Sequence, residues 1–111
     1  MTARESEPSD ARSAFDEAGG TVAGATASQM FGAPCFKIGS KAFCCLARGE
    51  TAVFKLTGQD HADALELPGS KLFDPGGTGR PMKAWVQVPF AESDSWAELA
   101  NQAAAFVAST S

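Results

Sequence analysis

Phe36-Lys37-Ile38-Gly39-Ser40-Lys41-Ala42-Phe43-Cys44-Cys45-Leu46-Ala47 is the stretch that decides the fold. Two runs rich in β-branched, aromatic and small apolar residues flank Gly39-Ser40, a pair suited to a two-residue hairpin turn. A two-residue turn pairs Ile38 with Lys41, Phe36 with Phe43, and Cys35 with Cys44. Arg48-Gly49-Glu50 is a second turn, and Thr51 to Leu56 reads as a third strand. Three strands joined by short turns make an antiparallel meander. Pro34 lacks a backbone donor, which puts the start of the first strand at an edge or a bulge.

Outward from the meander, the pattern changes period. Ala11, Ala14, Phe15 and Ala18 share one face of a helix starting at Ser9 or Asp10 and stopped by Gly19-Gly20. Thr21 to Gln29 is rich in small residues and carries no clear period. Thr57 to Glu66 reads as a helix with Thr57 as N-cap, Asp60 reaching back, and Ala62 and Leu65 inward. Lys71-Leu72-Phe73 suggests a short strand, and Asp74 to Pro81 a Gly-rich loop. Met82 to Val88 alternates as a half-buried strand. Ser95 and Glu98 form a capping-box pattern ahead of Trp96, Leu99, Ala100, Ala103, Phe106 and Val107, an apolar helical stripe. The expectation is one α+β domain of order α-β-β-β-α-β-β-α, an antiparallel sheet with helices packed on one face. Residues 1–9 read as a disordered arm, 10–108 as the domain and 109–111 as a tail.

The chain has 111 residues, enough for one core without staples. Its net charge of −4 disfavours nucleic-acid binding by the whole surface. The charge is uneven, however: residues 1–20 and 92–111 are acidic, and the middle is mildly basic. There is no apolar run long enough to span a membrane, and Met1 to Asp10 lacks the apolar core of a signal peptide. Three cysteines fit a reducing compartment, so the cytoplasm is the expected location.

Alternation assigns the sheet faces. Phe36, Ile38, Phe43, Cys45, Phe54, Leu56, Met82, Ala84, Val86 and Val88 fall on one apolar face. Cys35, Lys37, Ala42, Cys44, Leu46, Lys55, Lys83, Trp85 and Gln87 fall on the other. That second face is the candidate surface. Lys37, Lys55 and Lys83 with Trp85 resemble a basic stacking platform for single strands, or an ordinary solvated face. Gly77, Gly79 and Arg80 add a loop whose N–H groups could cradle an anion, although the spacing is not that of a nucleotide P-loop. Met30, Phe31 and Trp85 offer an apolar patch for a protein partner or self-association. Cys35 opposite Cys44 is a candidate redox pair. His61 stands alone, so neither a zinc site nor a nucleophile–base pair is expected. No catalytic residue, metal or cofactor is expected.

Met30-Phe31-Gly32 entering a strand, the meander, and Gly77-x-Gly79-x-Pro81-Met82-x-x-Trp85 together resemble the TfoX N-terminal domain family and its YjbR relatives. The resemblance covers about residues 10–108 and implies a secretion-chaperone-like α+β fold with the element order above. It implies a stand-alone domain without the C-terminal domain of TfoX regulators. The function it implies is a non-enzymatic binding module with a regulatory or DNA-associated role, and it brings no catalytic residue. The Cys44-Cys45 pair is not part of the family's pattern. Nucleic-acid association through the lysine face and thiol-based redox sensing stay open beside that reading.

Overall fold

Gly39, with φ of 62°, turns the hairpin, and Ile38 pairs with Lys41 as a two-residue turn requires. The computed structural model describes residues 10–30, 33–47, 51–74, 79 and 82–109. The elements are α1 (Asp10–Gly20), β1 (Thr26–Met30), β2 (Ala33–Ile38), β3 (Lys41–Ala47), β4 (Thr51–Lys55), α2 (Gly58–Leu65), β5 (Lys71–Phe73), β6 (Met82–Pro89), a 3-10 helix (Phe90–Ser95) and α3 (Trp96–Ser109). The strands form one antiparallel sheet in the order β1-β2-β3-β4-β6-β5. The α+β class and the antiparallel sheet match the sequence reading. The arm at 1–9 and residues 110–111 lie outside the described residues.

One strand is additional. Thr26 to Met30, within and just past the stretch without clear period, pairs along β2 from Thr26↔Lys37 to Met30↔Ala33. Thr26 to Gln29 are small or polar and mostly exposed, so no alternation marked it. β2 is therefore an inner strand, not an edge. Pro34 is accommodated because it has a partner only in β1; the β2–β3 ladder begins at Cys35.

The hairpin departs from simple alternation at one residue. Lys37 pairs with Ala42, but Phe36 pairs with Cys44, leaving Phe43 as the extra residue of a β-bulge. Phe43 and Cys44 are consecutive, yet both lie in the main hydrophobic cluster and are at most 1% exposed. A regular strand would send one of them to the opposite face. Losing a ladder bond at a bulge costs about 1 kcal/mol, whereas burying a Phe contributes roughly 1.5–3 kcal/mol, so the bulge wins.

Beyond the bulge, one line of partners crosses all six strands on the helix side: Ala27, Phe36, Cys44, Phe54, Val86 and Leu72. The next line holds Leu46, Ala52 and Val88. Phe36, Cys44, Ala52, Phe54, Val86 and Val88 of these lines join Ala11, Phe15 and Ala18 of α1, Ala64 of α2, and Trp96, Leu99, Ala100, Ala103, Ala104 and Val107 of α3 in one core, with Leu46 packed against it. Phe54 thus sits beside Cys44, where Lys55 was expected. Met82 is 45% exposed at the start of β6, where the pairing with β5 slips. Ala62 is exposed and Ala64 takes its inward place, while Phe106 is only half-buried. Thr57 is extended at the N-cap position but makes no side-chain cap bond.

Local bonds hold the helices to this layer. α1 runs through Gly19 and Gly20 and ends where the Thr21 N–H and hydroxyl both donate to the Ala18 carbonyl. Asn101 of α3 donates to Thr21 Oγ1 at 3.0 Å, tying the two helices. Phe15 meets Phe36 with ring centroids 5.3 Å apart. Trp96 lies against Phe54 and Phe90. Gly19 is there for space: a β-carbon on it would overlap the Phe36 ring. Gly19→Ala is therefore expected to cost about 1–3 kcal/mol in chemical denaturation. Gly20→Ala has open space and is expected to be neutral or to stabilise by up to about 1 kcal/mol. Equal effects at the two positions would contradict the contact.

Candidate functional site

The face away from the helices carries its own line of partners: Ser28, Cys35, Cys45, Val53, Gln87 and Lys71, one from each strand. Lys37 stands two residues beyond Cys35, between Thr26 and Ala42. Lys55 stands two beyond Val53 and pairs directly with Trp85. Between Met82 and Val86, β6 carries three residues where β5 has none, an irregularity that breaks the alternation from Trp85 to Lys83. The pairing places Lys37, Lys55 and Trp85 on one face, and it adds Lys71. Cys35 and Val53 are buried on this face but do not belong to the cluster that holds the helices.

Charge is partitioned by layer. The described lysines Lys37, Lys41, Lys55, Lys71 and Lys83 each occupy a different strand, β2 to β6. The described carboxylates other than Asp74 sit on or beside helices. They are Asp10, Asp16 and Glu17 around α1, Asp60, Asp63 and Glu66 around α2, and Glu92, Asp94 and Glu98 from the 3-10 helix into α3. The only ion pair among the described residues is Arg12 with Asp16 on α1. Lys37, Lys55, Lys71 and Lys83 have no ionic partner there. The helix layer is about 10 Å thick, and the Debye length at physiological salt is about 8 Å. The acidic side is thereby largely screened from the lysine side.

The thiols are placed differently from the expected pairing. Cys35 faces Cys45, not Cys44, because the bulge at Phe43 shifts the register by one. Cys44 instead joins the helix-side core. All three are free thiols. Burial pushes the Cys45 thiol up from 9.0 to about 12, with further raising from the charge of Cys35 and a side-chain hydrogen bond to it. Burial raises Cys44 still more, aided by Cys45, against a smaller lowering from a Phe36 backbone hydrogen bond. Both are protonated at neutral pH, the unreactive form of a cysteine.

His61 has a structural bond. Its Nε2 lies 2.7 Å from the Lys83 carbonyl oxygen, so Nε2 carries the proton and donates. This ties α2 to β6 where β6 slips against β5. In the Gly-rich loop, Gly77 and Arg80 lie outside the described residues, as do Phe31, Gly32 and Pro81 of the quoted motifs. Gly79 has φ of 81°, and its N–H donates to the Asp74 carboxylate at 3.0 Å. That donor is already taken by a negative group and does not cradle an anion.

A shallow groove between α2 and α3 is lined by Thr57, Asp60, Glu98, Asn101, Gln102 and Phe106. It is open to solvent, which is no setting for general acid–base work. Among the described residues no three His, Cys, Asp or Glu side chains group to hold a metal ion. No described helix is long and apolar enough to cross a membrane. No protein-family model, curated protein or solved structure matches the chain.

Sequence reasoning missed Lys71 because a three-residue strand has too little alternation to fix its face. Only its pairing with Gln87 reveals it. It mistook the partner of Cys35 because alternation has no place for a bulge.

Two measurements check the thiols. Diamide oxidation followed by peptide mapping is expected to link Cys35 to Cys45 and leave Cys44 free; a Cys35–Cys44 bridge would contradict the register. The pH dependence of stability has a defined sign. A thiol whose folded pKa is raised contributes stability that is fully present below its unfolded pKa, near 9, and is lost as pH rises. Denaturation under reducing conditions is expected to weaken above pH 9 by up to about 1.4 kcal/mol per pH unit from Cys44. Cys45, less buried, adds less. Cys44→Ala should flatten that limb.

Proposed function

We propose that this chain is a non-enzymatic binding module whose working surface is the lysine-bearing side of the sheet, away from the helices, and that its partner there is anionic. The observation that carries this is the charge partition. Three lysines, on β2, β4 and β5, share a face with Trp85 and have no ionic partner among the described residues, and the described carboxylates other than Asp74 sit on or beside helices. A surface built only for solubility has both signs interspersed. The whole-chain charge of −4 does not oppose such binding at physiological salt, since a partner at the lysines is shielded from the helix side.

The motif likeness to the TfoX N-terminal domain family is part of this proposal. It supports a regulatory binding domain and names no ligand. The three free thiols fit a reducing compartment, and the cytoplasm is proposed on that ground. Thiol sensing is the weaker reading: a sensor cysteine has a low pKa and good access, whereas burial raises both Cys44 and Cys45.

Titration calorimetry with linear polyphosphate at low salt tests the proposal. Binding is expected, and it should weaken at least tenfold in a variant carrying Lys37→Gln, Lys55→Gln and Lys71→Gln. Arg12→Gln, on the helix side, should leave it unchanged. Equal loss from both variants, or no binding by the parent chain, would reject this side of the sheet as the anion surface.

A further inference from the structure

Cys35 and Cys45 are direct partners across β2 and β3, and both are free thiols. The phase of β2 decides how they meet. β2 is regular against β1, and the extra residue at Phe43 belongs to β3. A two-residue turn closes on a hydrogen-bonded pair, here Ile38 with Lys41. Peptide groups alternate in direction along a strand, so Ile38 and Phe36 turn theirs toward β3, and Lys37 and Cys35 toward β1. Cys35 and Cys45 are thus a non-hydrogen-bonded pair, the kind with Cα atoms about 4.5 Å apart and side chains close together. A side-chain hydrogen bond joins the two thiols.

The two sulfurs have different access. Cys35 is 1% exposed, whereas Cys45 is half-buried and reachable from solvent. Val53, fully buried, is the next residue in the row beyond Cys45, and Ser28 lies beside Cys35. Lys37 stands two residues along β2 from Cys35, on the same side. Among the described residues no third Cys, His, Asp or Glu joins the pair to hold a metal. The place offers two soft sulfur donors and no more.

We infer that Cys35 and Cys45 form a two-coordinate site for a soft monovalent cation, Cu(I). The inference is independent of the anion surface. Thiolate sulfur suits Cu(I), zinc and iron–sulfur clusters. Structural zinc takes four protein ligands and catalytic zinc three, and an iron–sulfur cluster takes four cysteines. A closed-shell monovalent ion is satisfied by two thiolates in line. With metal–thiolate bonds of roughly 2.3 Å, a linear ion needs its sulfurs about 4.6 Å apart. Cross-strand partners hold their Cβ atoms about 4.5–5.5 Å apart, so a small χ1 rotation at each cysteine takes the sulfurs from hydrogen-bond contact to that spacing. Cu(I) replaces both thiol protons, which leave to solvent as two Cu–S bonds form. Neither copper nor sulfur changes oxidation state. The complex carries one negative charge, and the Lys37 ammonium on the same side offsets it. Cys45 is the entry to the site, and Cys35 is its water-free end.

Anaerobic titration of the reduced full chain with Cu(I), in competition with a chromophoric Cu(I) chelator, is the test. One equivalent per chain is expected to bind. X-ray absorption, which reads the donors without any variant, should show two sulfur neighbours and no nitrogen or oxygen. Cys35→Ser and Cys45→Ser should each weaken binding by more than the roughly 10- to 100-fold that loss of an outer-shell partner costs. Cys44→Ala, in the helix-side core, should leave the affinity unchanged. Closing the pair beforehand with diamide should abolish binding, and Zn(II) should not compete. Circular dichroism on each variant separates lost binding from lost folding. Tight zinc binding, a third donor in the absorption spectrum, equal loss from Cys44→Ala or a copper-linked dimer in sedimentation would overturn the site. Absence of Cu(I) binding by a chain that still forms the Cys35–Cys45 disulfide would overturn it too, while leaving the strand register standing.

Discussion

Two consecutive residues of β3, Phe43 and Cys44, must both reach the core, and a regular β-strand forbids it. The bulge at Phe43 resolves that conflict, and the rest of the sheet takes its phase from it. On the turn side of the bulge, Ala42 faces away from the helices with Lys37. On the far side, Cys44 lines up with Phe36, Phe54 and Val86 under the helices, and Cys45 turns outward to Cys35. The Phe36 ring, fixed in this line, then demands a glycine at position 19 of α1. One extra residue thereby sets the strand register, the position of a helix and the chemistry of both faces.

Much of the architecture was legible in the sequence because it rests on periodic signals. The stripes of α1 and α3 and the alternation of β4 and β6 repeat often enough to define a face, and Gly39-Ser40 gives the hairpin its turn. The unread parts are those where local pattern is weak or broken. β1 is a polar edge strand with one covered side, so Thr26, Ser28 and Gln29 carry no hydrophobic signature. The bulge is a single event visible only as two adjacent buried residues. Lys71 depends on which strand β5 joins, a non-local fact. Lys55 and Trp85 could be placed on one face because the β4–β6 register is regular up to that pair, and the thiol pairing was misread because it crosses the bulge.

His61 illustrates how a residue without chemical partners in the sequence can still matter. Its ring is half-buried and donates to the Lys83 carbonyl, in the stretch where β6 is out of step with β5. A slipped ladder leaves backbone acceptors needing donors, and a side chain from α2 meets one of them. The helix layer thereby holds part of the strand that carries Lys83 and Trp85. Helix packing and the geometry of the sheet are mechanically joined at this point, as they are at Phe36 and Gly19 on the other side of the molecule.

Sorting the described charges by layer also directs the dipole moment of those charges along the sheet normal. A protein of small net charge but large dipole experiences torque in a field before it experiences much net attraction. Approaching a polyanion, it rotates until the sheet leads; approaching a cationic surface, it rotates until the helices lead. The same chain would then adsorb on opposite charges in opposite orientations, and the ionic strength of the medium would set the distance at which it begins to turn.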